Sequence, residues 1–334
     1  MKILVVNIKY LGDLIVSTPG IRSLRKKNPT AEIVFMVRKG YEEIFSNNQN
    51  IDRVITFDPA LKEKSGKRSL FDGFRFANKI RKEKFDVVLA LHPSDRIALL
   101  SFFSGAKIRI APRKQSFGFL FNKKVDVLED TVSYLDYYNK IFSSFDVQID
   151  SDKTEFFISQ EAEKWAADFF NANSIANNDL IVGIHPSASE PTKIWPSDHF
   201  VDLIINITKS NNIKVLLLEG PQDKEICREI QKKIEQNSIL FYSSNDIHKS
   251  AALLKRCRVF ITHDTGTRHL AVALEVPTIA LVPEDNIKCW DFYDSVSNYH
   301  KIVGKRILNG NNSYLGNISV ECIKNKVNEV LALK

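Results

Sequence analysis

The chain has 334 residues, of which 44% are hydrophobic and 26% are charged, a composition typical of a globular protein with room for two domains. It contains no run of 18 or more apolar residues, so a transmembrane helix is not expected. Four cysteines lie far apart in the second half, without a C-x-x-C pair or a histidine at zinc-ligand spacing. Reduced thiols are therefore expected, and a structural metal site is not.

Charge is distributed unevenly along the chain, whose net charge is +7. Residues 1–150 carry 26 Lys and Arg against 17 Asp and Glu, a net charge of +9, whereas the remaining residues carry 21 against 23. A basic half beside a nearly neutral half indicates that the first half meets a polyanion, such as phosphorylated glycolipid, an anionic membrane surface or nucleic acid. A solvated, lysine-rich surface is the alternative.

In the first half, apolar runs alternate with amphipathic stretches. Strands are predicted at Lys2–Ile8, Glu32–Val37, Arg53–Phe57, Phe85–Leu91 and Lys107–Ile110. Helices are predicted at Thr18–Lys27, Phe71–Glu83, Asp95–Ser104 and Thr131–Phe145. Strands linked by helical crossovers indicate a parallel sheet that is covered on both faces. Two basic segments, Lys62–Ser69 and Arg113–Lys124, are predicted to be mobile loops.

A second alternating series begins after a change of composition near Asp146–Thr154. Its predicted strands are Leu180–His185, Ile213–Leu218, Ile239–Tyr242, Val259–Thr262 and Thr278–Val282. Its predicted helices are Glu161–Asn171, Pro196–Lys209, Gln222–Glu235, Ile247–Lys255, Thr267–Leu274 and Val320–Leu331. The sequence thus predicts an α/β protein with two doubly wound domains that face each other across a cleft, where ligands bind beyond the strand ends.

The first candidate for chemistry is Asp13, in the segment Tyr10-Leu11-Gly12-Asp13 directly after the first strand. Gly12 permits a tight turn or a close approach of the backbone to a ligand. A carboxylate at the carboxyl end of a strand can act as a general base if it reaches a substrate hydroxyl. The alternative is that Asp13 only caps the helix that follows.

The second candidate is the loop from His185 to Trp195, which follows a strand and is rich in small polar residues. Ser187, Ser189 and the backbone N–H groups of this loop are suited to hold phosphate oxygens. Lys193 supplies a positive charge suited to a diphosphate, although a lysine in a loop is commonly just solvated.

The third candidate is the segment Asp264-Thr265-Gly266, where an apolar strand runs into an Ala-rich helix. Thr265 and Gly266 lie at the helix N-terminus, whose free N–H groups and dipole bind anions. Asp264 is placed to accept hydrogen bonds from sugar hydroxyls, or else to cap the helix. His269, in the first helical turn, faces either the cleft, where it would contact the donor sugar, or the core, where it would be a packing histidine.

A fourth strand-to-helix junction carries two further carboxylates, Asp223 and Glu225. Either is suited to bind ribose hydroxyls, and acidic residues in a first helical turn are the equally good alternative. The fingerprints of dinucleotide-binding dehydrogenases, P-loop enzymes and serine hydrolases do not occur in the sequence.

Taken together, these motifs resemble the bacterial lipopolysaccharide heptosyltransferases, glycosyltransferase family 9. The resemblance runs in order from residue 1 to about 290. It is carried by Leu11-Gly12-Asp13 with Thr18-Pro19, His185-Pro186-Ser187-Ala188 with Thr192-Lys193-Ile194-Trp195-Pro196, Asp264-Thr265-Gly266 with His269-Leu270-Ala271, and Val276–Leu281. Two positions depart from the pattern, Arg268 and the turn Val282-Pro283-Glu284-Asp285-Asn286.

The resemblance implies a GT-B fold with two Rossmann-like domains. Residues 1–150 would bind the acceptor, residues 151–315 the nucleotide sugar, and the helix in 316–334 would pack back on the first domain. It also implies metal-independent, inverting transfer of a heptose from ADP-heptose to a lipopolysaccharide inner core or similar glycan, with no cofactor. Asp13 matches the general base, Lys193 the phosphate-binding lysine, and Asp264-Thr265-Gly266 the contacts to donor sugar and phosphate.

In this interpretation the basic half binds an anionic glycolipid or glycan acceptor in the cytoplasm, at the cytoplasmic face of the inner membrane. The acceptor-side cations are Lys62, Lys64, Lys67, Arg68, Arg113, Lys114, Lys123 and Lys124. Phe117, Phe119 and Phe121 place aromatic rings among them, so that the second loop can enter a membrane interface or simply be solvated.

Two alternatives remain open at the level of sequence. One keeps the fold and changes the reaction to that of a nucleotide-sugar epimerase. The other is a non-catalytic protein that binds nucleic acid through its basic half, as the aromatic and basic segment 113–124 permits. Because the second alternative leaves three strand-end loops without a role, nucleic acid is not expected as a partner.

Overall fold

The computed structural model describes residues 1–58, 67–115, 117–127, 133–176, 178–209, 212–220, 223–234, 239–308, 310 and 313–332, without the side chains of residues 67–74. The chain divides into two compact units, Met1–Phe157 and Ile158–Lys334. Four acceptor-side predictions are affected. Lys62 and Lys64 lie outside the described residues, as do the side chains of Lys67 and Arg68.

The first unit is built on a six-stranded parallel sheet. Its strands are β1 (Lys2–Val6), β2 (Glu32–Arg38), β3 (Arg53–Phe57), β4 (Val87–Ala90), β5 (Ile108–Pro112) and β6 (Lys123–Val125). They lie side by side in the order β3-β2-β1-β4-β5-β6, which is the Rossmann order. Nearly continuous burial along β1, β2 and β4 explains why these strands are apolar runs without alternation.

Five helices cover this sheet among the residues that the structure describes. They are α1 (Leu11–Val16), α2 (Thr18–Lys27), α3 (Lys67–Lys82), α4 (Asp95–Phe103) and α5 (Tyr134–Ser143). Short 3-10 turns occupy Glu42–Phe45 and Gly118–Leu120. The predicted loop Lys62–Ser69 is wrong at its end, because α3 begins at Lys67 and takes in three residues of that basic segment. The basic residues at the start of α3 gave no apolar pattern, so the sequence did not indicate that the helix begins there.

The second unit is built on a seven-stranded sheet. Its strands are β7 (Leu180–His185), β8 (Ile213–Glu219), β9 (Ile239–Ser243), β10 (Val259–His263), β11 (Thr278–Pro283), β12 (Tyr299–Ile307) and β13 (Tyr314–Gly316). Read from β9, the order is β9-β8-β7-β10-β11-β12-β13, so the Rossmann order recurs with one added strand. Only the added pairing, β12 with β13, is antiparallel among the described strands.

Seven helices belong to the described part of the second unit. They are α6 (Gln160–Ala172), α7 (Ser197–Ile207), α8 (Lys224–Lys232), α9 (Ile247–Lys255), α10 (Gly266–Ala273), α11 (Ile287–Trp290) and α12 (Val320–Ala332). The sequence predicts that the last helix packs on the first domain. In the structure Ile323, Val327 and Val330 of α12 lie instead in the core of the second unit, against α7. An amphipathic pattern shows that a helix has an apolar face, but not which core that face covers.

All ten predicted strands are confirmed. Two have the predicted bounds, and no end of the other eight shifts by more than two residues. Among the described residues, β6, β12 and β13 were not predicted. No described helix is long and apolar enough to span a bilayer. The four cysteines are free thiols, with Cys227 and Cys257 buried.

Gly183 on β7 tests how tightly the second core is packed. A Cβ at this position would lie 2.8 Å from Sγ of Cys257 and 2.9 Å from Cδ2 of Phe260, distances that real Cβ atoms do not adopt without a shift of the neighbours. We expect Gly183→Ala to lower the free energy of unfolding by about 1–3 kcal/mol because the core would be overpacked. Urea unfolding followed by circular dichroism measures the change.

Gly118→Ala is the matched control for this substitution. The nearest atoms to its added Cβ are 3.4 Å and 3.6 Å away, which is ordinary van der Waals contact. Its effect should stay within about 0.5 kcal/mol. Equal unfolding free energies for the two variants would contradict the tight packing around β7.

Candidate active site

Each sheet reverses its strand order at one point, between β1 and β4 in the first unit and between β7 and β10 in the second. In open parallel sheets the carboxyl ends of the strands at such a reversal form the ligand-binding crevice. Five candidate residues from the sequence analysis follow these four strands or lie beside them. They are Asp13, Ser187, Lys193, Asp264 and Thr265. Each unit therefore contributes its own group of candidate residues.

In the first unit, a break in helical hydrogen bonding fixes the short helix that carries Asp13. Pro19 has no N–H to donate to the carbonyl of Ile15, so the helix divides into α1 and α2 at Ser17. The hydroxyl of Thr18 donates to the Ile15 carbonyl at 2.7 Å in its place. The Thr-Pro pair thus ends α1 one turn after Asp13 and keeps that turn against the sheet.

Asp13 is a buried carboxylate with a specific partner. Its residue is 7% exposed, and the Tyr138 hydroxyl of α5 donates to its Oδ1 at 2.7 Å. The side-chain amide of Asn7 donates to the Asp13 carbonyl at 3.3 Å. Burial raises the pKa of Asp13, although the Tyr138 hydrogen bond and the charge of Lys9 act against this increase. A carboxylate made more basic in this way is suited to accept a proton.

His92 lies at the same edge of the first sheet and was not predicted as a site residue. It follows β4, whose Ala90 is in register with Val6 of β1, so it lies at the same edge of the sheet as Asn7. Burial and the charge of Lys9 lower the pKa of His92 to about 4. The imidazole is therefore neutral at pH 7 and can both donate and accept a hydrogen bond.

An aromatic and basic surface adjoins the same segment. Tyr10 is 56% exposed, the Arg38 guanidinium stacks 5.4 Å from its ring, and the ring of Tyr41 meets it edge-on at 6.3 Å. Such rings beside a cation are suited to the apolar face and hydroxyl groups of a sugar.

The predicted acceptor-side cations that the structure describes are solvent-exposed. Lys114, Lys123 and Lys124 are exposed. Arg113 is exposed as well, but its guanidinium forms a two-point ion pair with Asp126. Its positive charge is therefore partly neutralised within the chain.

In the second unit, His185 at the end of β7 is fixed by Asp223. Its Nε2 lies 2.9 Å from Oδ2 of Asp223, which also accepts the backbone N–H of Gly220 at 2.8 Å. Burial alone would raise the pKa of Asp223, yet the bonds from His185 and Ser187 lower it to about 2. Asp223 is thus ionised and holds the His185 loop, a role that the sequence did not distinguish from ribose binding.

His263, the last residue of β10, joins two segments of the candidate loop. Its Nε2 accepts the backbone N–H of Trp195 at 2.9 Å, so its other nitrogen carries the proton and donates to the Ser187 carbonyl at 3.2 Å. Burial lowers the pKa of His263 to about 3, which agrees with a neutral ring. The residue therefore shapes the loop that carries Ser187 and Lys193.

Lys193 belongs to a closed ring of ionic and hydrogen-bonded contacts. Its Nζ lies 3.4 Å from Asp264 and 3.3 Å from Glu190. Arg306 binds Glu190 at 2.9 Å and Asn286 at 3.3 Å, and Asn286 donates to Asp264 at 2.6 Å. The ring holds the Lys193 ammonium near the carboxyl end of β10, beside Asp264. The whole Lys193 residue is only 9% exposed.

Arg268 fixes the carboxylate of Asp264 from the buried side. Its guanidinium is fully buried and donates to Asp264 at 2.6 Å, to Asp291 at 3.3 Å, to Tyr299 at 3.0 Å and to the Trp290 carbonyl at 2.9 Å. Burial would raise the pKa of Asp264, but the positive charges of Arg268 and Lys193 lower it. Asp264 is therefore ionised in spite of its burial.

Three hydroxyls gather at the N-terminus of α10. Thr265 precedes the helix in an extended conformation, and its hydroxyl lies 2.7 Å from that of Thr267. The Thr267 hydroxyl also contacts Thr262 at 3.1 Å and Nδ1 of His185 at 3.3 Å. The first N–H groups of a helix have no acceptor within it. With Gly266 as the first residue of α10, the backbone here presents donors that suit a phosphate.

Three predicted donor-side residues do not join this cluster. His269 is 2% exposed, its Nδ1 contacts the Tyr293 hydroxyl at 2.7 Å, and its ring stacks on Phe292. These contacts favour the alternative of a packing histidine, and the sugar contact stays a prediction. Glu225 and Ser189 are exposed to solvent, the former in the first turn of α8.

The residues that sequence reasoning missed share one property, which is that their partner is remote in sequence. Tyr138 contacts Asp13 across 125 residues, and Arg306 reaches Glu190 across 116. His92 carried a usable signal, because it directly follows an apolar strand as the recognised motifs do. Over the described part of the chain, no group of three or more His, Cys, Asp or Glu is arranged to hold a metal ion.

The profile of glycosyltransferase family 9 (heptosyltransferase) matches residues 73–306. The chain belongs to glycosyltransferase family 9. A lipooligosaccharide heptosyltransferase 2 of Haemophilus ducreyi is 22% identical to it over 296 residues, covering 83% of this chain and 81% of the relative. Membership identifies a sugar-transferring enzyme, so the alternatives of an epimerase and of a non-catalytic nucleic-acid-binding protein are set aside.

Two solved structures show the fold of this family 9 enzyme. A family 9 glycosyltransferase of Veillonella parvula superimposes with a TM-score of 0.85 at 23% identity, covering 100% of this chain and 97% of that one. An ADP-heptose lps heptosyltransferase II of E. coli gives 0.81 at 19% identity, covering 99% and 98%. The two units are the Rossmann-like domains of the GT-B fold, as the sequence predicts.

Replacing Tyr138 by Phe tests the electrostatic control of Asp13 in this family 9 enzyme. The Tyr138 hydrogen bond lowers the pKa of Asp13 against the effect of burial, so its loss should raise that pKa further. At any pH near the transition, less Asp13 would be ionised in Tyr138→Phe than in the wild type. Carboxyl-carbon NMR titration of Asp13 measures the change.

Tyr137→Phe is the control, since it removes a hydroxyl from the neighbouring buried tyrosine of the same helix but not the one that bonds to Asp13. The Asp13 titration should change far less in this variant. An Asp13 pKa that is equal or lower in Tyr138→Phe would contradict the role of the hydrogen bond.

Proposed function

We propose that this glycosyltransferase transfers a heptose from ADP-heptose to a lipopolysaccharide inner core or a similar anionic glycan, with inversion at the anomeric carbon and without a metal ion. The family is described as heptosyltransferases. One relative acts in lipooligosaccharide synthesis by its name, and one solved neighbour is named for ADP-heptose. The candidate residues at the two reversals of strand order support the same chemistry.

The observation that carries the proposal is the environment of Asp13. It is a buried carboxylate with a raised pKa, held by Tyr138 at 2.7 Å and adjacent to the exposed ring of Tyr10. In the proposed step Asp13 accepts the proton of the acceptor hydroxyl while that oxygen attacks the anomeric carbon. The bond from this carbon to the diphosphate oxygen breaks, and ADP departs. A single displacement of this kind inverts the configuration.

The second unit supplies what the departing diphosphate needs. Negative charge grows on its oxygens in the transition state, and the Lys193 ammonium with the N–H groups of Thr265 and Gly266 would offset that charge. The backbone N–H of Ser187 and the hydroxyl of Thr265 are further donors within the same loops. This set of donors performs the task that a divalent cation performs in other transferases, which is our reason for proposing metal independence.

Asp264 is the proposed contact to the donor sugar. Arg268, Asn286 and Lys193 keep it ionised and fix its orientation, so it can accept hydrogen bonds from sugar hydroxyls. Asp223 serves differently, because its bonds to His185 and Gly220 hold the phosphate-binding loop in shape. For the reaction, the hydroxyl held near Asp13 must reach the anomeric carbon of the donor bound by the second unit.

An acceptor such as lipopolysaccharide is anchored in a bilayer. We therefore infer that the enzyme works in the cytoplasm at the inner membrane surface and meets its acceptor there. The net charge of +9 in residues 1–150 supports this location, since both the inner core and the lipid surface are anionic.

Asp13→Asn tests the catalytic role, because the amide keeps the shape of the side chain and cannot accept the proton. We expect kcat for heptose transfer, measured by mass spectrometry of the acceptor, to fall about 100-fold or more. Affinity for ADP, measured by calorimetry, should not change. Asp95→Asn is the control, since Asp95 is exposed in the first turn of α4. Unchanged turnover in Asp13→Asn would remove Asp13 from the role of base.

Lys193→Ala tests the diphosphate site. Loss of a charge-assisted contact should weaken ADP binding by about 10- to 100-fold in calorimetry. Lys224→Ala removes an exposed cation from the first turn of α8 and serves as the control. A thermal unfolding scan would show whether the ion-pair ring survives. ADP affinity that is intact in a folded Lys193→Ala would be evidence against this site. A thermal-shift series with ADP, GDP, UDP and CMP derivatives identifies the donor base.

A further inference from the structure

Exposed apolar side chains of the first unit are concentrated in one stretch of the chain. Six large apolar residues between positions 99 and 119 are 36% to 71% exposed. We call them the α4 surface: Leu99, Phe102, Phe103, Ile108, Phe117 and Phe119. Contiguous apolar side chains at the surface of a protein mark a place where something binds.

Two chain segments meet to form this surface. Helix α4 packs against the 3-10 turn Gly118–Leu120. Arg109 links them, because its guanidinium donates to the Leu120 carbonyl at 2.8 Å and stacks 5.8 Å from the ring of Phe102. The rings of Phe117 and Phe119 lie 6.0 Å apart on the turn. The exposed rings therefore belong to one supported surface.

Helix α4 is apolar on both sides. Its inner side, with Ile97, Ala98 and Ser101, is buried in the core of the first unit. Its outer side presents Leu99, Phe102 and Phe103 to solvent. A helix in water alone would carry polar groups there, so the outer side is suited to an apolar phase.

The charges around the α4 surface are predominantly positive. Residues 95–126 contain seven Lys and Arg and two Asp, a net charge of +5. Lys107, Lys114, Lys123 and Lys124 among them are exposed. Aromatic rings surrounded by lysines match the interface of an anionic bilayer, where rings lie at the headgroup level and cations attract anionic lipids. A second copy of the chain would instead bring a surface of like charge against it.

We propose that the α4 surface docks on an anionic lipid bilayer, with Phe102, Phe103 and Phe119 entering the headgroup region. The geometry corrects one expectation, because Phe121, predicted to be among the interfacial rings, is 3% exposed and lies in the core. The inference rests on the proposed function only for the identity of the membrane. Vesicle binding and sugar transfer are therefore measured separately.

The test is sedimentation of the full chain with vesicles of phosphatidylcholine alone or with about one third phosphatidylglycerol. We expect binding to the anionic vesicles at low salt, and weaker binding at high salt because the lysines are screened. Phe102→Ser/Phe103→Ser/Phe119→Ser should lower partitioning at least tenfold, since three rings no longer leave water. Lys123→Glu/Lys124→Glu should lower it by a similar factor, as each lysine contributes about fivefold.

Matched controls come from the second unit. Ile205→Ser/Phe241→Ser/Leu308→Ser removes three exposed apolar side chains, and Lys224→Glu/Lys232→Glu reverses two exposed charges. Both should bind vesicles like the wild type. Thermal unfolding verifies that all variants fold. Turnover of a water-soluble acceptor fragment should survive in the phenylalanine variant and in both second-unit controls. A wild-type chain that binds the vesicles but transfers no heptose would contradict the proposed heptose transfer and leave the proposed docking surface intact.

Three results would overturn the proposal. One is a wild-type chain that does not bind anionic vesicles at low salt, or phenylalanine variants that bind as well as the wild type. Another is concentration-dependent dimerisation that the phenylalanine variants abolish, because a second copy would then cover the surface. The third is tight binding of single-stranded DNA that displaces the vesicles.

Discussion

The buried guanidinium of Arg268 is the constraint on which the candidate residues of the second unit depend. A fully buried charge costs several kcal/mol unless ionic and hydrogen-bonding partners surround it. Two carboxylates, a tyrosine hydroxyl and a backbone carbonyl accept hydrogen bonds from its two terminal nitrogens, and Asp264 is one of those carboxylates. Because Asp264 must remain ionised to pair with Arg268, its second oxygen can hold Asn286 and attract Lys193. The position of the Lys193 ammonium thus follows from a charge buried in the core.

The two units use the same type of side chain for opposite purposes. Asp13 has a neutral hydrogen-bond partner, Tyr138, and burial dominates, so its pKa is raised. Asp223 and Asp264 are buried as well, but their partners include a histidine, an arginine and a lysine, and their pKa values are lowered. A carboxylate of the first kind is ready to take a proton, whereas the others stay charged and orient their neighbours. The environment of each carboxylate assigns its role.

Sequence patterns locate strands better than they locate partners. The ten predicted strands are apolar runs bounded by polar residues, a signal that lies within each run. β12 was missed because Gly304 and the polar residues His300, Lys301, Lys305 and Arg306 interrupt its apolar pattern. The missed role of Tyr138 has another origin. Its hydroxyl meets Asp13 only after α5 packs on α1 and α2, and no local pattern encodes that meeting.

The helix α12 and His269 show the same limit. Their sequence patterns indicate the local structure correctly, since α12 is amphipathic and His269 does lie in a first helical turn. The patterns do not determine which surface each one faces. His269 turns towards Tyr293 and Phe292, which come more than twenty residues later. The surface that a helix or a side chain faces depends on other elements of the fold, which a pattern of seven or eight residues does not contain.

Helix α4 connects the proposed docking surface to the edge of the first sheet where the proposed base, Asp13, lies. It begins three residues after His92, which lies at the β1–β4 reversal with Asn7 and the Asp13 helix. Nine helical residues span about 14 Å, so rings at the far end of α4 would hold this strand end within a short distance of a bilayer. A sugar that projects only slightly from a lipid headgroup is then within reach. Docking through α4 would thereby convert a search in solution into a search along a surface, which favours an enzyme whose acceptor cannot leave the membrane.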